Sequence, residues 1–204
     1  VTTRVIHRVP GAGRRVALTI DDCVSGSVWR SMIATLTRSR ARATFFCNGN
    51  RVVANGRTAR WTVSAGMSVG SHTYDHRRLP GLSFTAQKTR MTRDQQAWWS
   101  AARATPLPYF RPPYGAYNGV TLAAAGSAGY RFLILWDVDP RDWATSSPST
   151  IRSRVLARAR PGSVVLLHAK PATAAALGSI IRGLRARGLI PTDLDGLFRA
   201  GGVR

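Results

Sequence analysis

The stretch L-T-I-D-D-C-V-S-G, residues Leu18–Gly26, ends an apolar run in two adjacent aspartates and a cysteine. The run from Val16 to Asp21 is short and bounded by polar residues, which is typical of a buried strand. Two like charges side by side repel each other, and the chain contains only nine acidic residues in total. A strand that ends in two of them needs a positive partner close to its carboxyl end.

Further strand candidates alternate with helical patterns along the chain. The strand candidates are Val16–Asp21, Ala43–Cys47, Met67–Ser71, Tyr109–Arg111, Tyr130–Asp137 and Ser163–His168. The helical patterns are Val28–Arg38, Asn50–Val63, Ser83–Arg103, Asn118–Ala128, Ser149–Ala159 and Ala172–Arg187. This alternation predicts an α/β fold in which the strands are mainly parallel.

The unusual polar residues fall near the carboxyl ends of these strands. They are Asp21, Asp22, His72, Arg111, Asp137, Asp139, Asp142 and His168. In α/β barrels and open α/β sheets, the active site is assembled at that edge. A random placement would scatter such residues over both ends, so their convergence predicts one functional site there.

Composition adds a strong bias in charge. The 204 residues suit a single domain with a sizeable core, and no apolar stretch is long enough to cross a bilayer. Thirty basic residues against nine acidic ones give a net charge of +21, and the chain contains no glutamate. This charge favours a polyanionic partner, namely nucleic acid, an anionic cell-wall polymer or acidic lipid. A basic surface that is simply solvated is the alternative.

The segment G-S-H-T-Y-D-H contains two of the four histidines, His72 and His76. On one helical turn, side chains four residues apart share a face and can bind one metal. A carboxylate from Asp21 or Asp22 would complete three protein ligands, and three ligands plus water is the arrangement of catalytic zinc. The water is then acidified and becomes a nucleophile. The alternative is a pair of structural histidines with Asp75 as a helix cap.

The two adjacent aspartates can divide the work at such a site. One can ligate the metal, and the other can act as general base toward the bound water. The charge of the metal would offset their mutual repulsion. An Asp-Asp turn or a helix cap is the alternative interpretation.

The stretch Y-F-R-P-P-Y-G places Arg111 before two prolines. The planar guanidinium can hold a carboxylate in a fixed orientation. Pro112 and Pro113 stiffen the loop and can aim a backbone N–H at a developing oxyanion. A simple proline turn is the alternative.

The stretch W-D-V-D-P-R-D-W concentrates three acids and two tryptophans. Such acids suggest pairing with arginine or histidine, and Trp136 and Trp143 either line a sugar-sized cleft or belong to the core.

Further on, V-V-L-L-H-A-K ends a strand in His168. A histidine there can act as general acid if a carboxylate holds its tautomer and raises its pKa. A purely structural histidine is the alternative.

Taken in order, T-I-D-D, H-T-Y-D-H, R-P-P-Y-G, D-P-R-D-W and L-L-H resemble the five motifs of the NodB-type polysaccharide deacetylases, carbohydrate esterase family 4. The motifs span residues 19–168, and we expect residues 1–204 to form a single domain of this kind. The resemblance implies the fold of a distorted (β/α) barrel. It also implies an enzyme that removes an acetyl group from an N-acetylated sugar. It also implies one divalent metal, zinc by default, with cobalt or nickel as alternatives.

The resemblance assigns the metal site and the base by motif position. Asp22, His72 and His76 would bind the metal. Asp21 would be the general base, and Arg111 would hold it.

The remaining roles follow from the later motifs in the same way. Tyr114 would supply an oxyanion-stabilising backbone N–H. Asp142 would partner His168, the general acid that protonates the leaving amine, and Leu166 would help form the acetyl pocket. The substrate-binding set is completed by Pro112 and Trp143.

The chain departs from the family at two places. Cys23-Val24 stands where the family has Gly-Pro, and Ala169-Lys170 stands where the last motif continues into Asp. The cysteine introduces a soft metal ligand or a disulfide beside the site. Cys47 ends the second strand candidate, beside the first, so we favour a Cys23–Cys47 disulfide. Both departures bear on the substrate class more than on catalysis.

We therefore expect a hydrolytic N-deacetylase that releases acetate from N-acetylglucosamine-type units, with a metal-bound water attacking the amide. The charge favours anionic peptidoglycan over neutral chitin. The alternatives are an O-deacetylase of acetylated xylan, a deacetylase of an N-acetylated small molecule, and a polyanion-binding protein on the same fold. We expect a monomer without a specific nucleic-acid partner. It would be extracellular or wall-associated, its signal peptide lying outside this numbering, or cytoplasmic if biosynthetic.

Overall fold

The computed structural model describes residues 1–203. Within them, the strands are β1 (Arg4–Ile6), β2 (Arg15–Asp22), β3 (Thr44–Cys47), β4 (Ser68–Ser71), β5 (Tyr109–Phe110), β6 (Phe132–Ile134), β7 (Val164–His168) and β8 (Ile190–Thr192). The α-helices are α1 (Gly26–Arg38), α2 (Gly49–Ala54), α3 (Gly56–Ser64), α4 (Phe84–Ala102), α5 (Gly119–Ser127), α6 (Pro148–Arg158), α7 (Pro171–Ala186) and α8 (Leu194–Ala200). Two short 3₁₀ helices lie at Pro113–Gly115 and Asp142–Ala144.

The strands form one parallel sheet that curls on itself. Its order is β1-β6-β5-β4-β3-β2-β7, and β8 pairs with β2. All of these ladders are parallel. Isolated bridges from Val138 to Val165 and from Arg8 to Ser163 join the β6 and β1 side to β7, so the sheet forms a half-barrel. The predicted α/β fold with parallel strands is confirmed.

Strand β2 shows how the sequence builds the two faces of the sheet. Successive side chains of a strand point to opposite faces. Val16 and Ile20 therefore pack against the helices in the main core. Ala17, Thr19 and Asp21 face the barrel interior, where Ala17 joins a second apolar cluster. The last interior position of β2 is thus a carboxylate at the open end of the barrel.

Helix α8 closes the opposite end of the barrel with an apolar face. The Phe198 ring lies edge-on to Tyr109 and Phe132, with ring centroids 5.3 and 4.9 Å away. The N–H of Leu194 donates to the Thr44 hydroxyl at the start of β3. Burying each large apolar side chain stabilises the fold by roughly 1.5–3 kcal/mol. The interior is filled at this end, which leaves the carboxyl ends of the strands for a site.

Several element predictions differ from the structure. The sequence analysis does not predict β1, β8 or α8. The helix predicted at residues 50–63 is two helices, because the backbone at Asn55, with φ −123° and ψ 40°, leaves the helical region. The strand predicted at residues 130–137 contracts to β6. Among the residues that the structure describes, no helix is both long and apolar enough to span a bilayer.

Candidate metal and catalytic site

Parallel pairing brings the predicted site residues to one edge of the sheet. Asp21 on β2 lies opposite His168 on β7, and Asp22 lies opposite the last residue of β3. His72 directly follows β4 and Arg111 directly follows β5, and these two strands are neighbours. Five predicted residues from four different strands therefore meet at the open end of the barrel.

Asp22, His72 and His76 form a compact set of possible metal ligands. One ligand atom from each residue lies within 4.8 Å of the other two. Oδ1 of Asp22 is 3.4 Å from Nε2 of His72 and 3.2 Å from Nε2 of His76. Within residues 1–203 this is the one cluster of three or more such side chains close enough to hold an ion.

The two histidines converge from a loop and not from the predicted helical turn. Residues 72–76 are irregular, with Thr73 and His76 in the left-handed region at φ 65° and 58°. The Thr73 hydroxyl accepts a hydrogen bond from the His76 N–H and closes the turn. The helical explanation of the spacing is therefore wrong, although the rings still meet at a centroid distance of 4.9 Å.

The hydrogen bonding around His72 and Asp22 fits a bound cation. Nδ1 of His72 is 2.8 Å from the carbonyl oxygen of Arg111, which can only accept, so Nδ1 carries the proton and Nε2 presents a lone pair. Oδ1 of Asp22 is buried and has no hydrogen-bond partner among the described residues. Electron-rich atoms that face each other without a proton between them are stabilised by a cation. Two imidazoles and one carboxylate suit a divalent zinc-type ion.

The carboxylate of Asp22 is kept ionised. Burial alone would raise the pKa of Asp22. When the rings of His72 and His76 are protonated, their hydrogen bonds and charge outweigh burial and hold the pKa of Asp22 well below its usual range, and a bound cation would supply the same positive charge. The backbone of Asp22 is in the left-handed region at φ 76°. The side chain is therefore presented to the cleft by an uncommon backbone conformation.

Arg111 is a buried clamp for Asp21. Its Nη1 donates to Oδ1 of Asp21 at 2.7 Å and to the Thr19 hydroxyl at 2.7 Å. Nε and Nη2 donate to the carbonyl oxygens of Ile134 and Leu135. Burial lowers the pKa of Arg111, and the charge of Asp21 partly offsets that. Because Arg111 is 0% exposed, it positions Asp21 and does not itself touch a substrate.

His168 and Asp142 form a second acid–histidine pair. Nδ1 of His168 lies 2.7 Å from Oδ1 of Asp142, whose Oδ2 accepts from the His168 N–H and from the Thr173 hydroxyl. Burial lowers the pKa of His168, but the hydrogen bond to Asp142 and the charges of the nearby carboxylates outweigh burial and raise the pKa. The imidazole is therefore held in one orientation and favours its protonated form.

These groups line one open cleft of about 490 Å³. The predicted residues in its wall are Asp21, Asp22, His72, His76, Tyr114, Trp143, Leu166 and His168. Trp143 is 50% exposed, so it is a cleft residue and not part of the core. Trp136 also lines the cleft, while its other side packs against the apolar clusters of the interior. Of the two alternatives that the sequence leaves open, the structure places Trp143 in the cleft and Trp136 in both the cleft wall and the apolar interior.

The loop after β5 turns sharply at Tyr114. Tyr114 and Gly115 both have positive φ, 62° and 64°, and a Cβ on Gly115 would lie 2.9 Å from the Trp136 ring. The turn carries Tyr114 into the cleft, where its ring packs edge-on against His76 at 4.8 Å. Pro112 is buried and is not part of the cleft wall, so its role as a substrate-binding residue stays a prediction. Its rigid ring supports the turn.

Cys23 and Cys47 form a disulfide, and both are fully buried. Cys23 is therefore not a metal ligand. It occupies the left-handed region at φ 55°, a conformation that favours glycine, at the position where the resembling family has glycine. The bridge ties the loop after Asp22 to the end of β3.

Some residues at the site have no role assigned to them by the sequence analysis. Asn48 follows β3 and its amide donates to the carbonyl oxygen of His72 at 2.8 Å. Asp139 and Lys170 line the cleft, and Nζ of Lys170 lies 3.4 Å from the carbonyl oxygen of Trp143. Asn48 shares the signal of the other site residues, a polar side chain at a strand end. The hydroxyl contact of Thr173 with Asp142 has no such signal.

The chain matches the family model described as polysaccharide deacetylase over residues 8–133. The peptidoglycan N-acetylglucosamine deacetylase PgdA of Listeria monocytogenes is 33% identical over 196 residues, covering 95% of this chain and 41% of that protein. The chain thus spans about two fifths of the length of that relative. A peptidoglycan N-acetylglucosamine deacetylase of Bacillus cereus is 31% identical, covering 97% of this chain and 94% of that protein.

A solved structure has the same architecture. A family 4 carbohydrate esterase described as a pseudoenzyme, from Bacillus anthracis, superposes with a TM-score of 0.90 at 26% identity. The match covers 97% of this chain and 69% of that one. The predicted distorted (β/α) barrel is therefore confirmed. The chain belongs to the polysaccharide deacetylases, the NodB-type enzymes of carbohydrate esterase family 4.

Proposed function

We propose that the protein is a metal-dependent N-deacetylase that releases acetate from N-acetylglucosamine units, with peptidoglycan as its preferred polymer. One observation carries this proposal. An Arg-held carboxylate and an Asp-held histidine occupy opposite positions of paired strands, beside a two-histidine, one-aspartate ligand set in the same cleft. Metal-assisted hydrolysis of an amide uses a base for the water, an acid for the amine and a cation that polarises the carbonyl, and these side chains suit all three functions.

Asp22, His72 and His76 would hold the divalent ion, for which zinc is the first choice and cobalt or nickel the alternatives. When bound, such an ion polarises the acetyl carbonyl and acidifies a water. The protein contributes the fixed His72 tautomer, which the carbonyl of Arg111 sets, and an ionised Asp22.

Asp21 acts as the general base in this proposal. Its Oδ1 is occupied by Arg111, which leaves Oδ2 to accept the proton of the water that attacks the acetyl carbon. Oδ2 of Asp21 is 3.8 Å from Nε2 of His72, so it borders the ligand set without being held by Arg111. In this arrangement Asp21 transfers the proton and Asp22 ligates the metal.

His168 acts as the general acid. When the C–N bond breaks, the protonated imidazole donates its Nε2 proton to the amine nitrogen of the sugar. Asp142 keeps Nδ1 engaged, so the proton that moves is the one on Nε2. The raised pKa favours the protonated form that this step requires.

The remaining wall residues would bind the acetyl group and the sugar. Leu166 offers an apolar surface for the acetyl methyl, and the N–H of Tyr114 would stabilise the developing oxyanion. The exposed face of Trp143 suits a sugar ring. The net charge of +21 favours peptidoglycan over chitin, because chitin is neutral and its deacetylated product would be repelled.

We also propose that the protein acts outside the cell or at the cell wall. The disulfide between Cys23 and Cys47 supports this location, since disulfides persist in oxidising compartments. The charge supports it as well, because anionic polymers are the surfaces that such a protein meets there.

An acetate-release assay on peptidoglycan, chitooligosaccharides, acetylxylan and N-acetylated small molecules tests the function, with metal content measured on the same sample. We expect acetate from N-acetylglucosamine polymers, loss of activity after chelation, and recovery when zinc is added back. Asp22→Ala should show neither bound metal nor activity. Full activity in exhaustively chelated protein would refute the metal mechanism, and activity on acetylxylan alone would replace the substrate.

A further inference from the structure

A second cavity lies at the opposite end of the barrel from the cleft. It encloses about 510 Å³, and four of its wall residues are arginines: Arg15, Arg40, Arg42 and Arg199. The rest of its wall consists of glycine, alanine, proline and threonine. We call this region the basic cavity.

The basic cavity is far from the catalytic groups. Arg15 is the first residue of β2 and Asp22 is the last, so a rise of about 3.3 Å per residue separates them by roughly 23 Å. Arg42 precedes β3, and Arg199 lies on α8, which closes this end of the barrel. A ligand in the basic cavity therefore leaves the cleft free.

Three of the four guanidinium groups of the basic cavity form no ion pair with residues 1–203. Within residues 1–203, the one ion pair they form is between Arg42 and Asp193, at 4.0 Å. Asp193 is 1% exposed and already accepts hydrogen bonds from the Ser68 hydroxyl and the Gly196 N–H. Arg40, Arg42 and Arg199 are exposed, so an anion from solution can reach them.

We propose that the basic cavity binds the phosphate groups of a flexible phosphodiester polymer that carries no bases, and that this contact anchors the enzyme while the cleft works. Arginine forks match phosphate oxygens in a bidentate fashion. Nucleic acid fits less well, because single strands bind on aromatic platforms and the wall of the basic cavity contains no aromatic residue.

The experiment measures binding of fluorescently labelled poly(glycerol phosphate) at about 0.15 M salt. The test variant is Arg15→Gln/Arg40→Gln/Arg42→Gln/Arg199→Gln. The control variant Arg51→Gln/Arg57→Gln/Arg152→Gln/Arg182→Gln removes the same charge from exposed arginines elsewhere. We expect about tenfold weaker binding and a shallower salt dependence for the test variant, and less than about threefold weakening for the control.

Equal losses in both variants would overturn the proposal, because binding would then follow net charge alone. Tighter binding of an oligothymidylate with the same number of phosphates would also overturn it, in favour of nucleic acid. Thermal unfolding and acetate release from a soluble chitooligosaccharide check that both variants are folded. If the fourfold variant is unfolded, the same binding measurement is made on the double variant Arg40→Gln/Arg199→Gln, which changes only two exposed side chains. The binding readout does not depend on the proposed deacetylase activity.

Discussion

At the residue scale, the two adjacent aspartates carry the same carboxylate group in two different surroundings. Asp21 is 3% exposed and is held by a guanidinium, while Asp22 faces two imidazoles. A buried charge pair of this kind stabilises little by itself, but leaving one partner alone costs about 3–5 kcal/mol. Arg111 is therefore the positive partner of Asp21. In the proposed function, a divalent cation is the positive partner of Asp22.

Asp21→Asn removes the proposed base while keeping the shape of the side chain. We expect kcat to fall by about 10²–10⁴-fold and bound metal to be retained, because proton transfer is lost and the three ligands remain. Steady-state kinetics together with metal analysis measure both. The control is Asp139→Asn, another cleft carboxylate, which should change kcat by less than about tenfold. Unchanged kcat in Asp21→Asn would assign the base elsewhere.

Asp142→Asn removes the main group that raises the pKa of His168. Since the acid must be protonated, kcat/KM falls as the pH rises through that pKa. Removing the carboxylate lowers the pKa, so the alkaline limb of the pH profile should move to lower pH. The control Thr173→Val keeps the Asp142 carboxylate, so it should shift the alkaline limb of the pH profile less. An alkaline limb that stays in place would mean that His168 is not the acid.

At the element scale, the disulfide fixes the end of β2 against the end of β3. The two cysteines are 24 positions apart in the sequence, so α1 lies inside the closed loop. Asp22 directly precedes the bridged Cys23, and both residues have an uncommon backbone conformation with positive φ. We therefore expect the bridge to support the position of Asp22, a proposed metal ligand.

Cys23→Ser/Cys47→Ser should lower the free energy of unfolding by about 3–4 kcal/mol, as expected for a loop of this length. It should also weaken metal retention, because the loop that carries Asp22 is released. Denaturant unfolding and competition with a chelator measure the two effects. Reduction of the native protein should reproduce both. A variant that loses stability but holds metal as tightly would show that the bridge serves the fold alone.

The sequence predicts the site better than it predicts the small elements. Polar residues at strand ends are visible because parallel strands end at a common edge, and this holds for Asp21, His72, Arg111 and His168. Strands β1 and β8 are three residues long, and β8 contains a proline, so neither shows a periodic pattern. The loop that joins His72 to His76 is invisible because its left-handed residues are threonine and histidine, not glycine.

At the scale of the whole molecule, the excess of arginine is spread over much of the surface, and four of the arginines line the basic cavity. Interactions between exposed charges weaken beyond about 10 Å at 0.1 M salt and beyond about 3 Å at 1 M. The catalytic pairs are buried and close, so salt screens them little. We therefore expect the proposed encounter with a polyanionic wall to respond to ionic strength more strongly than the proposed chemistry in the cleft does.

Raising the salt from about 0.1 to 1 M should reduce acetate release from insoluble peptidoglycan by about tenfold or more. Release from a soluble, neutral chitooligosaccharide should change by less than about twofold over the same range. Parallel progress curves on the two substrates make the comparison. Equal responses would show that charge does not bring the enzyme to its polymer.

The pairing of Asp21 with His168 separates two kinds of position in the site. Main-chain hydrogen bonds between adjacent strands fix the proposed base and the proposed acid, whereas Tyr114, Trp143 and Lys170 belong to connecting segments. Substitutions in those segments can therefore alter which sugar or acyl group the cleft accepts without displacing the two strand positions. The Cys23-Val24 pair, which stands where the resembling family has Gly-Pro, is such a change, since the ladder between β2 and β3 still runs through Asp22.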